Sequence, residues 1–319
     1  MNDWTERLKS FEQGLDPTRL DRSTLPAQVL GYGEISTVFS IGSRWEGATA
    51  GGEKRSPDLA CKRMPLFAHR GSAENYEIKY RTYCGLLTEA GLVLPEHTTQ
   101  IVELPYRPTV FYILQQKLPP ERFCHRLLHS LDVTEIRQVL ERVAREVDKV
   151  WQFNDAHSPG LELALDGQLS NWVLMGDADG GLMSYVDTST PLYRVNGVEQ
   201  LDPELFLKSV PSFLRWIIRR LFLEDVMNRY YNQRNVLIDL AANLYKEQRP
   251  DLVPSAVEIM NDTLGENVEP LTQEEVKKYY REDKLIWIVF LTSRRFDRWI
   301  KTKVLRQRYE FILPGKIKR

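Results

Sequence analysis

Apolar positions along the chain change their spacing about a third of the way through. Trp4, Leu8, Phe11 and Leu15 recur at helical intervals and predict a short amphipathic helix docked on the body of the protein. Pro26 closes this preamble. From Gln28 to Ile41 the residues alternate and are rich in Val, Ile, Phe and Thr around a glycine-bearing turn, which predicts strand, turn, strand. A loop over Glu46 to Pro57 carries Gly47, Gly51 and Gly52, and Leu59 to Arg63 reads as a third strand. Ser72 to Ala90 has helical periodicity, with Ser72 as its N-cap. Gln100 to Glu103 and Thr109 to Gln115 read as two more strands, linked through Pro105 and Pro108. The order is therefore β-β-β-α-β-β, after which helical spacing takes over. Val133 to Phe153 predicts a strong amphipathic helix, broken by Ser158-Pro159-Gly160. Trp172 to Leu174 and Leu182 to Asp187 predict a hairpin turning at Asp177–Gly181. Beyond Asp202 the pattern is helical, with long runs at 204–248, 251–264 and 272–308. There is no internal repeat.

Composition narrows the classes without choosing a chemistry. At 319 residues the chain can bury a large core in one bilobed domain or in two smaller ones. A net charge of -1 gives no overall attraction to nucleic acid. The longest apolar stretches are too short to cross a bilayer, and Arg219 and Arg220 interrupt one of them. The opening Met1-Asn2-Asp3-Trp4 lacks the basic and apolar regions of a signal peptide. Cys61, Cys84 and Cys124 form neither a disulfide framework nor a CxxC pair, so a reduced, cytoplasmic protein is expected.

Four short segments carry the candidate chemistry. Gly31-Tyr32-Gly33-Glu34-Ile35-Ser36-Thr37-Val38 lies between two predicted strands, and such a turn can lay backbone N–H groups over phosphates because no Cβ blocks the approach. Lys62 ends the apolar run Leu59-Ala60-Cys61, where an ammonium requires an anionic partner or water. Asp166 and Asn171 stand five apart in the predicted loop Asp166-Gly167-Gln168-Leu169-Ser170-Asn171. Such an Asp can accept a proton from a hydroxyl, and such an Asn oxygen can ligate Mg²⁺. Asp187 follows the apolar Tyr185-Val186 at the end of the hairpin and is well placed to bind a metal that bridges phosphate oxygens.

In this order the four segments resemble the protein-kinase-like superfamily, including its aminoglycoside-phosphotransferase branch. Gly31-x-Gly33-x-x-Ser36-x-Val38 is similar to the glycine-rich loop, and Leu59-Ala60-Cys61-Lys62 to the strand lysine motif. Asp166 and Asn171 keep the catalytic-loop spacing, and Asp187 stands at the metal aspartate of DFG. The chain also looks like a bacterial family that carries the DGQxSNW and DTSTP strings. The resemblance covers about residues 25–195 by motif. It implies an α+β, bilobed protein-kinase-like fold: a helical extension over 1–26, an antiparallel N-lobe over 27–118 and a helical C-lobe over 119–319. It implies ATP and Mg²⁺ as cofactors. Lys62 pairs with the phosphates and with a helix carboxylate, Glu77 in first place and Glu74 one turn away in second. Gly31, Gly33, Ser36 and Gln115 line the nucleotide, Asn171 and Asp187 hold metal, and Asp166 serves the acceptor.

The departures from the pattern shape the expected activity. Ser36 replaces the third glycine, Ala164-Leu165 replaces the His-Arg before Asp166, and Thr188-Ser189 replaces Phe-Gly after Asp187. No APE segment follows. The acceptor implied is a small molecule or an unusual protein side chain rather than a standard peptide. A non-catalytic, pseudokinase-like binding module and an AMP-transferring enzyme stay open beside a phosphotransferase.

Other features weigh toward ordinary structure. Cys124, His125 and His129 read as a helix face rather than a zinc site, which would want a fourth ligand. Asp177-x-Asp179-Gly180 reads as a hairpin tip, since no Glu closes a calcium loop at the required distance. Arg294, Arg295, Arg298, Lys301, Lys303, Arg306, Arg308, Lys316, Lys318 and Arg319 face only Asp297 and Glu310, and read as a solvated basic helix rather than a site for a phosphate-rich partner, a nucleic acid or an anionic membrane face; a second copy of the chain is a further partner this helix could take.

Overall fold

The computed structural model describes residues 2–33, 35–41, 59–208, 215 and 223–315. The loop over Glu46 to Pro57, Glu34, part of the 204–248 run and Lys316, Lys318 and Arg319 lie outside the described residues.

A sheet with a core on each face organises the first third of the chain. The strands are β1 (Ala27–Tyr32), β2 (Thr37–Ile41), β3 (Leu59–Phe67), β4 (His97–Val102) and β5 (Thr109–Gln116), preceded by helix α1 (Asn2–Gly14). They pair antiparallel in the order β1-β2-β3-β5-β4, and helix α2 (Arg70–Glu89) makes the crossover from β3 to β4. Alternation along β3 decides which chemistry each face receives, because successive side chains point to opposite faces. Cys61 lies with Phe39, Tyr112 and Leu114 in a back core against Leu8 and Phe11 of α1. Met64 lies with Phe111, Ile113 and the tyrosines of α2 in the front core, which is continuous with the second lobe. Lys62, one position before Arg63, therefore belongs to the front and Arg63 to the back. Lys62 is opposite Val38 on one side and Ile113 on the other.

The second lobe is helical around a small hairpin. It contains α3 (Cys124–Leu127), α4 (Val133–His157), β6 (Leu161–Leu163), β7 (Trp172–Met175), β8 (Leu182–Tyr185), β9 (Tyr193–Val195) and β10 (Val198–Glu199). Then come α5 (Glu204–Lys208), α6 (Leu223–Tyr230), α7 (Gln233–Lys246), α8 (Val253–Thr263) and α9 (Gln273–Trp299). The chain is thus a bilobed α+β protein with an antiparallel N-lobe sheet and a helical C-lobe. Helix α4 starts at an Asp132/Glu135 capping box and buries Ile136, Val139, Leu140, Val143, Val147 and Val150 on one stripe. The β7–β8 turn needs glycine at 181, where a Cβ would lie 2.5 Å from the Met175 carbonyl oxygen. Among the described residues no helix is long and apolar enough to cross a membrane.

Two expectations are corrected here. The helix read over 272–308 ends at Trp299, passes through a π-helical turn (Ile300–Val304) and gives way to chain without regular secondary structure. Helix α2 begins at Arg70, with His69 as N-cap and Ser72 as the third helical residue of the capping box.

Lys303, Arg306 and Arg308 are exposed, as read, but the segment after them packs on the N-lobe. Ile312 joins the back core of the N-lobe, and Glu310 enters a buried charge cluster there. Glu12 of α1 is fully buried and accepts from Arg63 Nε at 2.5 Å, Arg107 Nη2 at 2.6 Å and Tyr112 Oη at 2.5 Å. Glu310 accepts from Arg63 Nη2 at 3.1 Å and from Arg107 Nη2 at 3.0 Å. Burial pushes the Glu12 carboxyl up, but the two guanidiniums and the Tyr112 hydroxyl outweigh it and bring it down to about 2. Arg294 and Asp297, counted in the basic run, are themselves buried, and the Arg294 guanidinium lies 5.1 Å from the Phe311 ring centre.

Candidate functional site

Hydrogen bonds and strand pairing bring four distant stretches of sequence together where the sheet meets the helical lobe. Lys62 Nζ lies 2.7 Å from Asp187 Oδ1 and 3.0 Å from Ser189 Oγ. Ser189 Oγ in turn donates to Asp187 Oδ1 at 3.0 Å. The Lys62 side chain is 14% exposed and that of Asp187 26%, so the pair is sheltered yet open to a ligand. Burial raises the Asp187 carboxyl, but the Lys62 ammonium and the Ser189 hydrogen bonds prevail and hold it below the ordinary carboxylate range.

The loop before β7 is held against the segment that carries Asp187. Asn171 O accepts from Val186 N at 2.9 Å, which sets Asn171 beside the residue preceding Asp187. Asn171 Nδ2 donates to Asp166 O at 3.1 Å, turning the amide oxygen, the end suited to a cation, away from that bond. Asp166 Oδ1 accepts from Gln168 N at 3.0 Å and its carbonyl accepts from Tyr185 Oη at 3.2 Å. Helix α7 supports the same loop: Asn243 Oδ1 accepts from Leu169 N at 3.1 Å, and Lys246 Nζ reaches Gln168 Oε1 at 2.8 Å. Glycine is required at 167, because a Cβ there would meet Val236 Cγ1 at 2.7 Å.

The glycine-bearing turn spans the end of β1 and the start of β2, with Gly31 opposite Val38 and Tyr32 opposite Thr37. Gly33 N donates to Ser36 O at 3.0 Å, and a Cβ at Gly33 would lie 2.7 Å from Ser36 Oγ. Since Val38 is also opposite Lys62, the turn adjoins the strand that carries the lysine. Gln115, near the end of β5, donates weakly to Val186 O at 3.4 Å.

Glu77 is not in this set. Both helix carboxylates expected near Lys62 face elsewhere: Glu77 accepts from Arg81 at 2.7 Å and Thr99 at 2.5 Å, and Glu74 from Arg70 at 2.7 Å. The face of α2 turned to this set presents Tyr76, whose hydroxyl donates to Ser189 O. The anion beside Lys62 is Asp187 itself. Glu77→Gln is accordingly expected to leave nucleotide and metal binding within about twofold and to cost about 0.5 kcal/mol, the scale of an exposed i,i+4 pair. Thermal melts with and without ATP and Mg²⁺ check it, and a collapse of ligand response would restore Glu77 to the site. Ser189 and Tyr76 were overlooked. The period of buried residues in α2 (Ala73, Tyr76, Tyr80, Tyr83, Leu87) was the signal for the tyrosine.

The donors gathered here suit a hard cation. Asp187 offers carboxylate oxygen and Asn171 an amide oxygen, both of the type Mg²⁺ prefers. Among the described residues no group of three or more His, Cys, Asp or Glu forms a metal cluster, so Cys124, His125 and His129 do not make a zinc site. Burial depresses the His125 imidazole to about 4, as expected of a neutral ring on a helix face.

A family model described as "Family of unknown function (DUF6206)" matches residues 49–298. No protein of curated function matches the sequence. Among solved structures, one titled "WaaP in complex with acyl carrier protein" is 16% identical, with 80% of this chain and 95% of that chain covered, at a TM-score of 0.32. A likeness that remote says nothing of activity.

Proposed function

We propose, for a chain that belongs to the DUF6206 family, an ATP- and Mg²⁺-dependent phosphotransfer to a hydroxyl acceptor. The observation that carries this reading is the 2.7 Å contact between Lys62 and Asp187, which are 125 positions apart in sequence. A cationic strand residue and a hairpin-end carboxylate meet where the sheet joins the helical lobe, beside a loop that holds Asp166 and Asn171 five apart.

Each residue has a task that follows from its chemistry. The Lys62 ammonium, released from Asp187 when an anion enters, attracts the phosphate chain. Asp187 and Asn171 hold the metal, which supplies charge neutralisation on the transferring phosphoryl group when bound. The Gly31–Val38 turn offers backbone N–H groups, with Gly33 keeping the space beside Ser36 clear. Gln115 and the chain after it line the adenine side. Asp166 orients the acceptor hydroxyl and takes its proton as the oxygen attacks. The missing APE segment favours a small molecule or an unusual protein side chain as acceptor, as in the aminoglycoside-phosphotransferase branch that the motifs resemble.

Thermal melts with ATP, with and without Mg²⁺, test binding first. Saturation at about a hundred times Kd stabilises the fold by about 2.7 kcal/mol, so a metal-dependent rise of several degrees is expected. No rise under either condition would leave a non-catalytic module as the better reading. Asp166→Asn is expected to keep that rise while lowering transfer by about a hundredfold or more, the usual scale of a lost general base. Mass spectrometry of the acceptor separates a phosphate-sized from an AMP-sized addition, and the latter would replace phosphoryl with nucleotidyl transfer.

A further inference from the structure

Helix α2 carries no carboxylate into the site, yet it touches both segments that hold the candidate catalytic groups. Three tyrosines at 76, 80 and 83 lie on its buried face. Tyr76 Oη donates to Ser189 O, two residues after Asp187, and the hydroxyl of the same Ser189 bonds Lys62 and Asp187. Tyr80 Oη accepts from Thr188 Oγ1 at 3.4 Å. Tyr83 Oη donates to Ala164 O at 2.8 Å, two residues before Asp166. On the far side of the loop Tyr185 Oη bonds Asp166 O. The rings of the first two are fixed by packing: Tyr76 lies 5.3 Å and Tyr80 6.1 Å from the Phe111 ring centre. Burial raises the phenols of Tyr76 and Tyr83 well above their ordinary range, so both remain protonated donors.

We propose that Tyr76 and Tyr83 are positioning residues, whose hydroxyls hold the Asp187 segment and the Asp166 loop in register across the site. This hydrogen-bonded face of α2 takes the place of the lysine–glutamate pair that the motif resemblance implied. The proposal rests on the phosphotransfer reading for its consequence, though the clamp itself is a property of the ligand-free chain. Each tyrosine joins a rigid helix to a main-chain carbonyl near a functional carboxylate. Removing either hydroxyl frees that carbonyl inside the protein while leaving the ring in place.

The test compares three substitutions that each delete one buried hydroxyl: Tyr76→Phe, Tyr83→Phe and, as control, Tyr112→Phe. Tyr112 bonds Glu12 in the back core, away from the site. All three should lower Tm. Only the first two should speed amide exchange in residues 164–171 and 186–190 of the ligand-free protein. Only they should weaken Mn²⁺ binding in the presence of ADP, by about tenfold, the scale seen when a residue supporting a metal ligand is lost. With ATP turnover as readout, their loss should fall on kcat and metal dependence rather than on KM for ATP. If Tyr76→Phe and Tyr83→Phe change Tm alone, as the control does, the proposal is overturned. If the wild-type chain binds no Mn²⁺ with ADP, the phosphotransfer reading fails by itself, and the exchange measurement still decides whether the tyrosines hold the two segments.

Discussion

Asp187→Ala is expected to abolish Mg²⁺-dependent ATP turnover in a chain that still folds. Among the described residues the carboxylate is the only anionic side chain bonded to Lys62, and it is the strongest candidate ligand for the metal. A metal ion stabilises transition-state charge by several kcal/mol, so its loss corresponds to a rate decrease on the order of a thousandfold. The fold survives because Lys62 keeps Ser189 Oγ at 3.0 Å and some access to water, at 14% exposure. A discontinuous assay of ADP release, run beside circular dichroism and a thermal melt, separates lost chemistry from lost structure. Asp187→Asn, which keeps the shape and one acceptor oxygen, should lie near the alanine variant in turnover and nearer wild type in Tm. Unchanged turnover in a folded Asp187→Ala protein would remove the assignment.

The largest effect on stability is expected from Glu12→Gln. The substitution preserves volume but leaves two buried guanidiniums, Arg63 and Arg107, with Glu310 as the remaining carboxylate. Breaking one partner out of a buried ion cluster costs about 3–5 kcal/mol. For a chain of this size that corresponds to a fall in Tm of about 4–7 degrees. The pH dependence has a definite sign. The Glu12 carboxyl is lowered from 4.5 to about 2 in the folded chain, so its contribution is fully present above pH 4.5 and is lost as pH falls toward 2. That difference is worth about 3 kcal/mol. Wild-type Tm should therefore decline steeply through that window, and the Glu12→Gln profile should be flatter there. Parallel acid profiles for the two proteins would show that Glu12 is not the titrating group.

The sequence made local relationships legible and concealed those that depend on helix rotation or on chain ends meeting. The first hairpin, the Lys62 strand, the loop of Asp166 and Asn171, and the hairpin ending near Asp187 were each read from period and turn residues within about ten positions. Their convergence was legible only as a motif order, since nothing in a strand of period two says what faces its lysine. Glu77 was misplaced because its charge was weighed above its phase: it sits one position past Tyr76, on the flank where Arg81 and Thr99 compete for it. The stretch from Ile300 to Arg308 was misread as a continuation of the α-helix because its many basic residues tolerate that state, and the segment after it drew no reading. Its own alternation of Tyr309, Glu310, Phe311 and Ile312 becomes meaningful only once the back of the sheet is there to receive Ile312 and Glu310. A buried cluster assembled from positions 12, 63, 107 and 310 leaves no local trace at all.

The segment around Glu310 couples stretches of sequence nearly three hundred positions apart: Arg308 Nη2 donates to Leu15 O, and the Glu310 carbonyl accepts from Arg63, which also holds Glu12. Any change that loosens residues 308–312 should therefore loosen the first helix as well, although the two never adjoin along the chain.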